Sequence, residues 1–221
     1  MNALEAVELY RFFHAGADEI FALRGVSLQL RPGELLAVTG PSGSGKSTLL
    51  ACLAGLDEPD GGHVELMGQR MTRRPEAERA ALRARHIGFL RQSGNLFDHL
   101  TVGGNIRLQL KLAGHRLEDS RLDSMLYLLG LYPLLGSLPG QLSGGEATRA
   151  GLAVALAPDP AVLLADEPTA EVDSATAEWI LALLKQRRKK GGAAIVVTHS
   201  RVVAKRCDRV LRLQDGRIVS D

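Results

Sequence analysis

Cysteine is scarce in this chain of 221 residues: there are two, Cys52 and Cys207. They lie far apart and match no metal-ligand or dithiol spacing, so free thiols in a reducing compartment are expected. Charge of one sign is lacking too. Lys and Arg number 27 against 25 Asp and Glu, a formal net charge of +2, too small to argue for nucleic acid or acidic lipid as a partner. No apolar run approaches the ~18 residues that would span a bilayer. The opening "MNALEAVELYRFF" carries early acids and no apolar secretory core. A cytosolic protein is expected, with any membrane role reached through a partner. Internal repeats and low-complexity linkers are also absent.

What is present is ordinary for a globular domain: 45% apolar and 24% charged residues. The length suits one domain, or one with a substantial insertion. Short apolar strands alternate with helical stretches. "AVELY" and "VSLQL" alternate as half-buried strands. "ELLAVTG", "HVELMG", "HIGFLRQ", "AVLLADEP" and "AAIVVTH" read as further strands. "GKSTLLACLAGL", "PEAERAALRAR" and "SATAEWILALLKQRRKKG" read as helices, the last with Ser174 as N-cap and Gly191 at its end. Its basic residues Lys185, Arg187, Arg188, Lys189 and Lys190 read as cations favoured by a helix C-terminus. "DRVLRLQDGRIVSD" reads as a hairpin turning at Asp215-Gly216. From Thr101 to about Ala157 the pattern is helical, with "RLEDSRLDSMLYLLGL" its clearest amphipathic stretch. The expectation is an α/β fold: a mostly parallel sheet covered on both faces, antiparallel strands near the N-terminus and an inserted helical subdomain. The corresponding division is a core over about 1–100 and 158–221, with about 101–157 helical.

"GPSGSGKST" fits G-x-x-x-x-G-K-[ST], with Gly40, Gly45, Lys46 and Ser47 in the fixed places. It follows a strand and opens a helix, the context that distinguishes a phosphate-binding loop from an ordinary glycine turn. Pro41 belongs to the loop but has no N–H to give; backbone N–H groups of Ser42, Gly43 and Ser44 can approach phosphate oxygens, and the helix N-terminus adds partial positive charge. Lys46 can reach the β- and γ-phosphates, the Ser47 hydroxyl can ligate Mg²⁺, and Thr48 is a further hydroxyl donor. Downstream, Asp166 and Glu167 close a buried strand, where side chains reach the ligand crevice of an open α/β sheet. Asp166 suits Mg²⁺ held through water, and Glu167 could polarise an attacking water. Gln92 and His199 end two other strands at the same sheet edge. Gln92 could touch Mg²⁺ or the water, and His199 the γ-phosphate.

A second glycine pair, in "QLSGGEATRAGLAVAL", needs its own account. Ser143 and Glu146 form an S-x-x-E capping box. That leaves Gly144 and Gly145 unexplained, since glycine in a helix costs roughly 1 kcal/mol against alanine. Something must approach that backbone. A helix N-terminus with a serine is an anion site, and one on a separate subdomain would most naturally meet the phosphate held by another copy.

In their order, "GPSGSGKST", "LSGGE", "VLLADEP" and "VVTH" resemble the ATP-binding subunit of an ABC transporter, over essentially the whole chain. The resemblance implies ATP and Mg²⁺, and two subunits packed head to tail with each ATP between the P-loop of one and the signature of the other. It implies Walker A roles for Gly40 to Thr48 and a Q-loop role for Gln92. Ser143, Gly144, Gly145 and Glu146 match the signature, Asp166 the magnesium acid, Glu167 the base, Asp173 the D-loop aspartate and His199 the switch histidine. Phe13 best matches the adenine-stacking aromatic, with Tyr10 and Phe12 as alternatives. The implied partners are a second ATPase subunit, more readily identical than not, and integral membrane permease subunits at the cytoplasmic face.

Some positions depart from the pattern: "AEVD" in the D-loop, "AVAL" without the usual preceding arginine, Gly104 for glutamate and Arg91 in an apolar slot. They leave room for a weakened site or a non-identical partner. Within the family, "DEIFALRGVSLQL" and the compact length are similar to the lipoprotein-release and macrolide-export branch. A nutrient-importer ATPase and a soluble ATP-gated clamp with little turnover are the alternatives.

Overall fold

The computed structural model describes residues 1–15, 18–115, 120–170 and 172–219. The start of the "RLEDSRLDSMLYLLGL" stretch, Glu171 of "AEVD" and the last two residues of the C-terminal hairpin segment lie outside them.

Two sheets are built. The N-terminal strands β1 (Leu4–Ala15) and β2 (Asp18–Leu30) pair antiparallel, and β1 also pairs β4 (Gly61–Leu66), which carries the short β5 (Gln69–Arg70). The second sheet combines β3 (Leu35–Thr39), β6 (Ile87–Leu90), β7 (Val162–Asp166), β8 (Ala193–Val197), β9 (Arg209–Gln214) and β10 (Arg217–Val219). Its order is β10-β9-β3-β8-β7-β6, parallel except for the terminal hairpin. That hairpin turns at Asp215 and Gly216, whose φ values of 48° and 74° fit a type I′ turn.

Because a strand alternates its side chains, each continuous apolar run serves two cores. Leu36, Val38, Val162, Leu164, Ile195 and Val197 join one buried cluster. It includes Leu49, Leu50 and Leu53 of α1 (Lys46–Leu53) and the inner face of the antiparallel sheet. Leu35, Leu163, Ala165, Ala194 and Val196 point the other way. They meet α3 (Val102–Leu112), α4 (Ser120–Leu128), α5 (Gly144–Leu156) and α6 (Ser174–Lys189). The helix α2 (Glu76–His86) precedes β6, and the short α7 (Arg201–Ala204) follows β8.

Three expectations need correction. The strand in "HIGFLRQ" ends at Leu90, so Gln92 lies in the loop beyond it. The strand in "IVVTH" ends at Val197, so His199 too lies past the strand. The N-cap of α6 is Asp173, whose carboxylate accepts from the Thr176 N–H at 2.9 Å and the Thr176 hydroxyl at 2.8 Å. Ser174 is the first helical residue; the longer carboxylate reaches both donors and takes the capping position. The basic run does fall in the last turn of α6, as expected for cations at a helix C-terminus, but Arg187 differs from its neighbours. It is 8% exposed and pairs with Asp159 at 3.3 Å, while Arg188, Lys189 and Lys190 are exposed.

Candidate nucleotide site

The P-loop joins β3 to α1, and its glycines are dictated by close approach. Gly45 is the N-cap of α1 with φ 99°, and a Cβ there would lie 2.2 Å from the Ala22 carbonyl oxygen. A Cβ on Gly40 would lie 2.0 Å from the Leu213 carbonyl oxygen. Gly43 has φ 77° but open space around it. Pro41, Ser42 and Gly43 are exposed, while Ser44 is buried with an Oγ that has no hydrogen-bond partner.

Lys46 is 7% exposed and its Nζ donates to the carbonyls of Gly40 at 3.0 Å and Pro41 at 2.8 Å. Burial lowers its pKa, with Glu167 and Asp166 opposing. An ammonium satisfied only by neutral carbonyls is ready to be drawn onto an anion. The Ser47 hydroxyl donates to Asp166 Oδ2 at 2.9 Å, joining the P-loop to the end of β7. A hydroxyl and carboxylate side by side are hard oxygen donors of the kind Mg²⁺ takes. The residues present therefore fit a magnesium-nucleotide.

Glu167 follows Asp166 with φ 50°, and its N–H donates to the Val197 carbonyl at 3.0 Å. Left-handed backbone on a non-glycine residue is strain of the sort that collects at functional sites. Glu167 Oε1 is buried without a hydrogen-bond partner. It lies 3.5 Å from His199 Nε2, an ion pair only when the imidazole is protonated. Gln92, Glu167, His199 and Ser174 line one groove of about 470 Å³. The sheet edge thus brings Ser47 onto Asp166 and Glu167 beside His199, with Lys46 near enough to both acids to feel their charge and Gln92 lining the same groove as Glu167 and His199.

Among the described residues no side-chain hydrogen bond or ion pair joins the signature to this cluster. The capping box forms as the spacing requires: Glu146 Oε2 accepts from the Ser143 N–H at 2.8 Å, and Ser143 Oγ accepts from the Glu146 N–H at 3.4 Å. Ser143 and Gly144 are exposed. Among the described residues, a Cβ on Gly145 would meet nothing nearer than Val172 Cγ1 at 3.9 Å, so none of them demands glycine there.

Of the three aromatic candidates, Tyr10 lies against Gly61, and Phe12 sits 5.9 Å from Phe21. Phe13 is 40% exposed, with the Arg11 guanidinium over its ring. The network holding Arg11 was invisible in the sequence. Its carboxylate partners lie 46 and 49 residues away and belong to no motif.

A strand–GPSGSGKS–helix unit beside an acid-ended parallel strand defines the P-loop class of nucleotide-binding folds. The family described as ABC transporter matches residues 23–170, and the chain belongs to that family. It is 44% identical over 220 residues to the uncharacterized ABC transporter ATP-binding protein YbbA of Escherichia coli K12, covering 98% of this chain and 96% of that one. It is 40% identical over 218 residues to the lipoprotein-releasing system ATP-binding protein LolD of Legionella pneumophila, covering 97% and 96%. The macrolide export ATP-binding/permease protein MacB of Chlorobium luteolum is 40% identical over 220 residues, spanning 99% of this chain and 33% of its own length. Among solved structures, the dimeric post-hydrolysis state of the ATP-binding cassette MJ0796 with ADP and Pi superposes with a TM-score of 0.92 at 33% identity, covering 98% of this chain and 97% of that one.

Proposed function

We propose that this chain binds and hydrolyses ATP as the motor subunit of a membrane ABC transporter or force-transmitting complex of the lipoprotein-release and macrolide-export kind. The observation that carries the reading is the linked cluster Ser47–Asp166 and Glu167–His199, with an exposed, glycine-bearing helix N-terminus elsewhere on the same chain. The names of its relatives LolD and MacB support the branch.

ATP phosphates lie in the loop from Gly40 to Thr48, where backbone N–H groups and the α1 N-terminus favour anions. Lys46 exchanges its carbonyl partners for phosphate oxygens. Ser47, Asp166 and Gln92 would hold Mg²⁺, which when bound neutralises charge on the phosphates. Glu167 Oε1 lacks a donor, and a water placed against it would supply one; the carboxylate then orients that water and takes its proton. His199, beside Glu167, would donate to the γ-phosphate. Ser143, Gly144 and Gly145 of a second copy complete the site and stabilise the transferring charge. Two copies therefore close on ATP and open after hydrolysis. Residues 101–157 act as the helical subdomain against a core of 1–100 and 158–221. Motion passes through Gln92 and the loop after it to permease subunits, which hold the chain at the cytoplasmic face of the membrane. Among the described residues no helix is long and apolar enough to cross a membrane.

The test is Glu167→Gln. The variant should bind MgATP as the parent does, release no phosphate, and elute as a dimer only with ATP present. Unchanged phosphate release would remove Glu167 as the base.

A further inference from the structure

Arg11 makes contacts that phosphate chemistry leaves unused. Its Nε and Nη2 donate to Asp57 Oδ2 and Oδ1, each at 2.9 Å. Its Nη1 donates to Asp60 at 3.1 and 3.3 Å. Asp60 Oδ2 also accepts from the Phe12 N–H at 2.9 Å, and the Asp60 N–H donates to the Tyr10 carbonyl at 2.8 Å. A guanidinium forked onto one carboxylate and bonded to a second cannot reorient freely. Its central carbon lies 4.5 Å from the centroid of the Phe13 ring, a cation–π contact. Residues 11 and 13 share a strand face, which is why the two side chains meet.

The position of this network gives it a use. Asp57 and Asp60 follow α1, the helix whose N-terminus is the P-loop. At the other end of α1, the pairing of β1 with β2 skips Ala22, since Arg11 faces Leu23 and Phe12 faces Phe21. The skipped Ala22 turns its carbonyl onto Gly45 of the loop. The hairpin is thus bonded to the segment after α1 through Arg11 and closely packed on the glycine that begins α1 through Ala22. Phe13 lies just beyond these contacts toward the hairpin turn, paired with Ile20 and 40% exposed. Arg11 covers one face of its ring.

We propose that Arg11, locked by Asp57 and Asp60, is a positioning residue for the nucleobase: it fixes the Phe13 ring from one face so that a purine stacks on the other. This rests on the ATP reading above and on Phe13 as the stacking aromatic. The cation also draws π density from the open face, which eases stacking of a second π system. Arg11 touches no part of the nucleotide itself.

Calorimetric titration of the non-hydrolysing Glu167→Gln protein tests this with two probes: MgATP, and magnesium tripolyphosphate, which has the phosphates and no base. Arg11→Gln should weaken MgATP by about two- to fivefold, the range of an exposed cation–π contact, and leave tripolyphosphate unchanged. Arg11→Lys, which keeps the cation, should recover part of the loss. In a Phe13→Ala background, Arg11→Gln should cost nothing further. Equal weakening of both probes, an undiminished Arg11→Gln effect without Phe13, or unaltered MgATP binding in Phe13→Ala would each overturn the proposal. Parent protein that binds neither probe would sink the ATP reading along with it. If Arg11→Gln does not fold, Asp60→Asn loosens the same lock and should show the same selective loss.

Discussion

Glu167 concentrates the conflict between stability and activity in one residue. Its φ of 50° places a side chain where glycine is at ease, and its Oε1 is buried without a hydrogen-bond partner, 3.5 Å from His199 Nε2. Each cost can be relieved by substitution. Glu167→Gly should raise the stability of the free subunit by about 1 kcal/mol, through relaxed backbone and a removed buried acceptor. The same change should end phosphate release. Urea unfolding paired with a phosphate assay checks both. A glycine variant less stable than the parent would mean that the strain is not where the backbone places it. The neighbour Asp166 differs because its Oδ2 is met by Ser47. Two adjacent carboxylates are thereby prepared for different tasks, one partnered and one waiting.

At the scale of elements, α5 carries glycines of opposite character. Gly151 is demanded by packing: a Cβ there would lie 2.7 Å from Asn95 Cβ and 3.1 Å from Leu90 Cδ1. Asn95 cannot retreat easily, because it bonds both the N–H and the carbonyl of Arg91. Gly151→Ala should therefore cost about 1–3 kcal/mol in urea unfolding. Gly145→Ala should cost the free subunit nothing, since its nearest neighbour is 3.9 Å away. It should instead weaken the ATP-dependent dimer on gel filtration. A dimer indifferent to Gly145→Ala would return that glycine to the role of an unused residue.

The cap of the same helix sets a pH dependence. Bonds from the Ser143 N–H and hydroxyl hold the Glu146 carboxyl below its ordinary value of 4.5. A carboxyl so lowered stabilises the fold above its ordinary value and loses that contribution as pH falls through the lowered one. The difference in urea midpoint between the parent and Glu146→Ala should be constant near neutrality and shrink below about pH 4.5. A difference that persists unchanged into stronger acid would mean the ionised carboxylate is not what caps α5.

For the whole molecule, the proposed sharing of each site between two copies sets the prediction. Lys46→Ala removes the loop cation, and Ser143→Arg obstructs the signature. If each site takes its loop from one copy and its signature from another, each variant alone has both sites damaged. A mixed dimer gathers both lesions in one site and leaves the other whole. Mixing the two inactive proteins should therefore restore measurable phosphate release. No recovery, despite formation of mixed dimers, would argue for a site completed within one chain.

Local spacing was enough to read the P-loop, the Ser143–Glu146 capping box, the Asp215-Gly216 turn and the acid-ended strand. Each depends on residues within a few positions of one another, where backbone geometry leaves few choices. The continuous apolar runs likewise announced buried parallel strands. Spacing could not show that Ser174 would yield the cap to Asp173, because both are capping residues and only the chain's path decides between them. Nor could it show Arg187 turned inward to Asp159, or Arg11 held by Asp57 and Asp60 against Phe13. These pairings join segments 28 to 49 residues apart, and burial and charge neutralisation select them only once the sheets and helices have packed. The sequence alone determined which groups could meet a nucleotide; the tertiary structure decided which of them meet one another, because distance in space is set by packing.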